Sequence, residues 1–341
     1  DSAQLPPVGL DISPAMDFDI LRNSFNLTTA TYEMKEVMRQ TLDSGILYNA
    51  TNLRNLLPKA NSLSSTANGP FHLPLLDIND FSDIERIDPM SFEELLWQCF
   101  GDKRNNNDAV VICRSNKRAN MFNQAIRSRV LQEEGELSAG DKLMIVKNNY
   151  YWSQQDNKTT RQQDNQFSDS QVLRFSDSQI LIPFLANGDM VEVMRINKIE
   201  EMYGFHFADV DIQMMDYEEM PALSVKIILE TLHSASPALT PEESKKLYQA
   251  VEEDYMDIPR ASDRRKLMKE NPYFNALQVK YGYALTCHKT QGGQWKNVFV
   301  EAPYLPEENT LEVGDIRWLY TALTRASEKV HLVNFKDEWI F

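Results

Sequence analysis

The stretch YGYALTCHKTQGGQWKNVFVEAP, residues 281–303, sets polar chemistry between two apolar runs. Tyr283 to Leu285 come before His288-Lys289-Thr290-Gln291-Gly292-Gly293-Gln294, and Val298 to Val300 come after. Glycines let a backbone approach a ligand closely, while Thr, His and Lys supply donors suited to phosphate. Two readings fit this spacing: a glycine-bearing surface turn, or a phosphate or nucleic-acid loop.

The flanks suggest what carries the loop. Downstream, a helix over about Asp315 to Ser327 and a last strand over Val330 to Phe335 give an α/β order. Upstream, Ala109 to Cys113 (AVVIC) is a short continuous apolar run, as in a strand covered on both faces. Ser115 then caps a helix with Ala119, Phe122, Ile126 and Val130 on one side. Strand followed directly by helix is the mark of a parallel α/β layer. Residues 31–57 predict two helices broken at Asp43-Ser44-Gly45, 59–70 a loop, and Ser91 to Phe100 another helix.

From about Gly140 the period changes. Leu143 to Val146, Val191 to Ile196, Ala208 to Met214 and Leu223 to Leu229 read as short strands, with Asn187-Gly188-Asp189 a turn between two of them. They predict a small antiparallel barrel, followed by helices from Pro241 to Lys269 before the α/β pattern resumes. The near-duplication FSDSQVLR (167–174) and FSDSQILI (175–182) reads as a local event in a hairpin, since two copies build no repeat architecture.

Composition narrows the function classes. The 341 residues are 42% hydrophobic, enough for about two domains, and no apolar run approaches the ~20 residues of a membrane span. No membrane association and a cytoplasmic location are therefore expected. Cys99, Cys113 and Cys287 share no C-x-x-C spacing and suggest neither a disulfide framework nor a zinc site. The net charge of −15 opposes long-range attraction to nucleic acid, so any such binding needs a locally basic groove. No carboxylate cluster with metal-binding spacing supports a nuclease.

Longer motifs go further. ALTCHKTQGGQW resembles motif V of superfamily 1 DNA helicases of the RecD and Dda type, and RWLYTALTRASEKVHLV (317–333) resembles their motif VI. DSAQLPPVG (1–9) is similar to motif III without its leading glycine, and YEMKEVMRQTLDSGILYNATNLR (32–54) to motif IV. LSAGDKLMIVKNNYY (137–151) and FLANGDMVEV (184–193) resemble the edges of the Src-homology-3-like barrel these enzymes insert. The resemblance implies an α/β fold: a RecA-like parallel-sheet domain of P-loop NTPase type, lacking its own phosphate loop, with a small antiparallel barrel inserted. The implied boundaries are 1–15 for a linker with motif III, 16–136 and 276–341 for the two parts of the RecA-like domain, 137–235 for the barrel and 236–275 for a helical connector.

The same resemblance implies roles. Arg325 would be the arginine finger on the transferring phosphoryl group, Arg39 a second cleft arginine, and Gln4 a sensor of the γ-phosphate or its attacking water. Otherwise Arg325 and Arg39 are ordinary exposed helix arginines, and Gln4 a turn residue beside Pro6 and Pro7. His288, Lys289 and Thr290 would touch the DNA backbone, with Gln291 and Gly292 between the DNA and ATP sites. Gln294 stands where relatives carry an acidic residue on the ribose, keeping a hydrogen-bond acceptor but losing the charge. Arg114, Ser115 and Asn116, at a helix N-terminus, suit either a DNA phosphate or simple capping. Asn148 sits on the barrel rim, suited to guiding a strand or to turn chemistry.

No G-x-x-x-x-G-K-[ST] occurs in the sequence. The expectation is thus a C-terminal motor-domain fragment of an ATP-dependent, probable 5′–3′ helicase, inactive as an ATPase alone. Its cofactors would be ATP and Mg, bound mainly by an upstream RecA-like domain. Its partners would be single-stranded DNA, that domain and subunits of an exonuclease complex. The alternative is a non-catalytic helicase-derived module for single-strand binding or protein docking.

Overall fold

The computed structural model describes all residues except 31, 33–42, 58–70, 102–107, 154–183, 218 and 305–309. Arg39, the first helix expected in 31–57, the 59–70 loop and the 167–182 near-duplication therefore lie outside the described residues. The chain divides into two compact units, one of residues 1–122 with 284–341 and the other of residues 123–283.

The main strands in chain order are β1 (Ile84–Arg86), β2 (Ala109–Cys113), β3 (Lys142–Ile145), β4 (Met190–Met202) and β5 (Phe205–Met214). They continue with β6 (Leu223–Ile228), β7 (Leu277–Tyr281), β8 (Ala284–Thr286), β9 (Trp295–Glu301) and β10 (Ala326–Val333). The main helices are α1 (Gly45–Leu56), α2 (Phe92–Phe100), α3 (Asn116–Ala125), α4 (Pro241–Glu253), α5 (Ala261–Glu270) and α6 (Val313–Leu323).

The first unit is built on a five-stranded sheet in the order β1-β10-β9-β2-β8, with every neighbouring pair parallel. All five residues of β2 are buried, as its unbroken apolar run requires. Burying each of Val110, Val111 and Ile112 contributes roughly 1.5–3 kcal/mol, more than the ~1 kcal/mol span of strand propensities, so position in the sheet dominates. Phe299 of β9 packs edge-on to Phe92 of α2 and lies 4.5 Å from the His331 ring of β10. The alternation of strand, helix and strand fits a RecA-like helicase domain.

The second helix expected in 31–57 begins at Gly45, directly after Asp43-Ser44. The Ser44 hydroxyl accepts from the Leu47 N–H at 3.1 Å, capping α1, and Asp83 accepts from the Gly45 N–H at 2.8 Å. A Cβ at Gly45 would come within 2.5 Å of Phe81, so the residue must be small. On α3 the predicted apolar face Ala119, Phe122, Ile126 and Val130 is buried throughout. Its last turn, Ile126–Val130, widens to a π-helix.

Two expectations in this unit need correction. The helix expected to reach Ser327 stops at Leu323, and the last strand begins at Ala326 rather than Val330. The Thr324 hydroxyl donates to the Tyr320 carbonyl at 2.8 Å, closing the helix, and Ala326 pairs with Trp295 in the sheet. Arg325 thus lies in the turn between α6 and β10 and is only 3% exposed, not an exposed helix arginine.

The second unit holds a closed barrel in the order β3-β4-β5-β6-β7. Asn187-Gly188-Asp189 forms the turn before β4, with Gly188 at φ +105°. The barrel is not wholly antiparallel, because β6 and β7 run parallel. A parallel pair needs a long crossover, and the segment with α4 and α5 supplies it. The closing strand β7 falls within the segment, from residue 276, assigned on sequence to the second part of the RecA-like domain. A buried ion pair fixes the barrel's base: Arg127 donates to both Asp141 oxygens at 2.8 and 2.9 Å, and the Tyr283 hydroxyl donates to the same carboxylate at 3.0 Å. Among the described residues, no helix is long and apolar enough to cross a membrane.

Candidate nucleic-acid interface

The 288–294 stretch is not a simple loop. Cys287–Thr290 form one 3-10 turn directly after β8, and the chain then reverses at Gly292, φ +88°, before entering β9. A side chain is strained at that φ, which explains a glycine there. The turn sorts its side chains. Thr290 is fully buried and its hydroxyl donates to the Cys287 carbonyl at 2.8 Å, so it shapes the turn instead of facing solvent. His288 faces solvent in part, and desolvation draws its imidazole below the ordinary value.

Lys289 is unusual. Its Nζ is buried with no hydrogen-bond partner among the described residues, and desolvation lowers its pKa to about 8. A buried ammonium without a counter-ion is costly, and an anion delivered to it would relieve that cost.

Three distant segments meet beside this turn within the first unit. Gln291 Nε2 donates to the Leu5 carbonyl at 2.7 Å, and the Leu5 N–H donates to the Thr321 hydroxyl at 2.9 Å. Arg325 Nε donates to the Thr321 carbonyl at 3.1 Å and its guanidinium reaches the Gly293 carbonyl at 3.3 Å. The result is a closed hydrogen-bonded circuit joining Leu5, residues 291–293 and residues 321–325. Gln4, half-buried, lies next to Leu5 in that circuit, while Gln294 is exposed at its margin. The N-terminal segment is anchored again by Asp1, whose carboxylate accepts from the Tyr320 hydroxyl at 2.6 Å and from Arg54 at 3.1 Å.

The remaining candidates do not join this circuit. Arg114 forms an ion pair with Asp315 on α6 and lies 5.8 Å from the centre of the Trp318 ring. Ser115 accepts from the Arg118 N–H at 3.2 Å, an ordinary helix cap, and Asn116 begins α3. Asn148 belongs to the second unit, where its side-chain oxygen accepts from the Asn187 N–H at 2.7 Å, which is turn chemistry. Arg39 falls outside the described residues.

Sequence reasoning missed Leu5, Gly293 and Thr321. Leu5 and Gly293 act through backbone atoms that carry no residue-type signal. Thr321 sits inside YTALTRA, where its role as a junction is invisible without the partners.

Residues 281–333 match the family model for the UvrD-like helicase C-terminal domain. No curated protein sequence matches the chain. Among solved structures, the Pif1 helicase from Candida albicans is similar at 12% identity, covering 67% of this chain and 45% of that one with a TM-score of 0.32. The Pif1 helicase from Bacteroides, in complex with ADP-AlF3 and single-stranded DNA, is similar at 11% identity, covering 91% and 53% with a TM-score of 0.37. The chain spans about half the length of these helicases. Over residues 281–333, then, the chain is similar to a UvrD-like helicase C-terminal domain, on a parallel sheet that fits a RecA-like motor.

Proposed function

We propose that this chain is the second motor domain, with its inserted Src-homology-3-like barrel, of an ATP-dependent DNA helicase of the RecD/Dda type that translocates 5′–3′ on single-stranded DNA. The single observation that supports this reading most is the circuit joining the residue 1–5 segment, the 291–293 turn and Arg325. Such a circuit lets a movement at Arg325 be felt at the turn that would hold DNA.

In this reading Lys289 and His288 contact backbone phosphates, with Arg114, Ser115, Asn116 and Asn148 as outlying contacts. Thr290 acts by holding the turn. Gln4, Arg39 and Arg325 face a nucleotide cleft, with Gln291, Gly292 and Gln294 beside it. The donor set fits one wall of a nucleotide site, since a guanidinium suits phosphate charge and a carboxamide suits ribose or a water. ATP with Mg, held chiefly by another RecA-like lobe, supplies the free energy of phosphoryl transfer when bound. Arg325 would leave its carbonyl partners to reach that charge, because its guanidinium is bonded to backbone oxygens of its own unit.

The last point also favours a second reading. An arginine 3% exposed and hydrogen-bonded within its own unit is what a non-catalytic helicase-derived module for strand binding or docking would keep. Fluorescence anisotropy with a labelled oligothymidylate at two salt concentrations tests the shared part of both: binding should weaken as salt rises. Salt-independent binding would contradict phosphate contact. ATP hydrolysis by the chain joined to a RecA-like lobe with an intact phosphate loop separates the two readings, and Arg325→Ala should abolish it only if the motor reading holds.

A further inference from the structure

The second unit carries a cleft of about 490 Å³, lined on one side by residues 147–151 of the barrel-edge stretch, with Asn148, an outlying strand contact in the reading above, among them. It opens between the chain following β3 and the helical crossover. Leu247 and Phe274 contribute apolar surface to its wall, Tyr150 and Gln278 flank it, and Lys147 and Lys269 provide its cations. Both lysines are exposed, and among the described residues no carboxylate lines the cleft. Among the described residues neither ammonium has an acidic partner. Glu270, the nearest acid in sequence, lies outside the lining; its carbonyl accepts from the Tyr151 hydroxyl at 3.0 Å.

That combination is unusual in a chain of net charge −15, where carboxylates outnumber cations 50 to 35. A cleft with two lysines and, among the described residues, no carboxylate in its lining is electrostatically set for an anion, although the Glu270 charge is felt at Tyr151 on its edge. Its volume and mixed lining fall in the range of small-ligand and peptide pockets. The amides inside it are largely committed to the protein itself: Asn149 donates to the Asn275 carbonyl at 2.8 Å, and Gln278 accepts from the Leu239 N–H at 3.0 Å. Recognition is therefore left to the two charges and the apolar wall.

Two cations are few for a polyphosphate strand, and the exposed ring of Tyr150 is already paired with Phe184 at 4.8 Å. A nucleic acid would want more of both. An acidic peptide needs only what is present: a carboxylate for each lysine and an apolar or aromatic side chain for the wall.

We infer that the cleft is a docking site for an acidic peptide segment of a partner protein, carrying two carboxylates beside a hydrophobic side chain. The site is separate from the DNA-contact turn and does not depend on the helicase reading.

The test uses the full chain and a fluorescein-labelled, C-terminally amidated hexapeptide, Ser-Phe-Asp-Asp-Leu-Phe, followed by anisotropy. Saturable binding is expected, weakened about tenfold in the double variant Lys147→Glu/Lys269→Glu. It should be lost when the aspartates of the peptide are replaced by asparagines. A second variant, Ser244→Phe, fills the cleft without changing charge and should also abolish binding, while oligothymidylate binding, carried mainly by His288 and Lys289, changes less than about twofold in both variants. Absence of peptide binding, equal binding of the asparagine peptide, or binding unaffected by both variants would overturn the inference. So would oligothymidylate binding that falls in step with the peptide, which would mark the cleft as a nucleic-acid site.

Discussion

The guanidinium of Arg325 donates to the carbonyl of Gly293 at 3.3 Å across 32 residues of chain. This bond ties the turn after α6 to the turn before β9 and makes each turn's position depend on the other. Arg325→Ala should therefore do two separable things. The Gly293 carbonyl loses the guanidinium, while the Thr321 carbonyl keeps the Thr324 hydroxyl at 3.1 Å, and a buried acceptor that loses its donor costs about 1–3 kcal/mol. Urea denaturation should show that loss, and hydrogen exchange should show faster opening at 291–294. A variant with unchanged exchange would mean the bond does not hold the turn.

Lys289 gives a pH signature. Its folded pKa, lowered to about 8 by desolvation, lies below the ordinary lysine value of 10.5. The folded chain then holds fewer protons than the unfolded chain between pH 8 and about 10.5, so this group makes stability rise with pH across that window. The strain of the buried charge is fully present below pH 8 and absent above the unfolded value. A phosphate beside Nζ would favour the charged form, so strand affinity should fall as pH rises through 8. Oligothymidylate titrations from pH 7 to 9.5 should show the fall in the native chain and a flat profile in Lys289→Arg. Identical profiles would remove Lys289 from the interface.

Thr321→Val keeps shape but removes the acceptor for the Leu5 N–H. The N-terminal segment should loosen, with limited proteolysis cutting near residues 5–12 several times faster. The loss of one such bond costs about 1 kcal/mol, so the rest of the fold should persist. Unchanged cleavage would show that the Asp1 contacts and the bonds from Gln291 to the Leu5 carbonyl and from Arg317 to the Asp11 carbonyl hold the segment without Thr321.

In the barrel, Asp141→Asn leaves Arg127 buried without its charge partner. Breaking a buried pair of this kind costs about 3–5 kcal/mol. Thermal melting should detect a lower midpoint for the second unit, and a loss under 1 kcal/mol would indicate that water reaches the pair.

Much of the fold was legible because periodicity reports burial. AVVIC could only be a strand covered on both faces, and the spacing Ala119, Phe122, Ile126, Val130 could only be one helix face; all nine residues are buried. The errors arose where pairing, not pattern, decides. Ala326 to Lys329 is too polar to read as strand, yet its partners on β9 make it one. The parallel join of β6 and β7 depends on a crossover of 48 residues (229–276), whose path no local pattern encodes. At the site, residue types flagged the 288–294 turn but not its division of labour: Thr290 turns inward while His288 faces out, a difference set by one turn of 3-10 helix.

By itself the sequence determined the alternation of elements, the location of the polar turn and the helicase-like motifs, because these follow from local chemistry and spacing. Tertiary structure alone decided that Leu5, Gly293, Thr321 and Arg325 share one circuit, and that the Lys289 Nζ is buried with no hydrogen-bond partner among the described residues. Backbone carbonyls and desolvation make those choices, and both depend on which segments the fold brings together rather than on the side chains written along the chain.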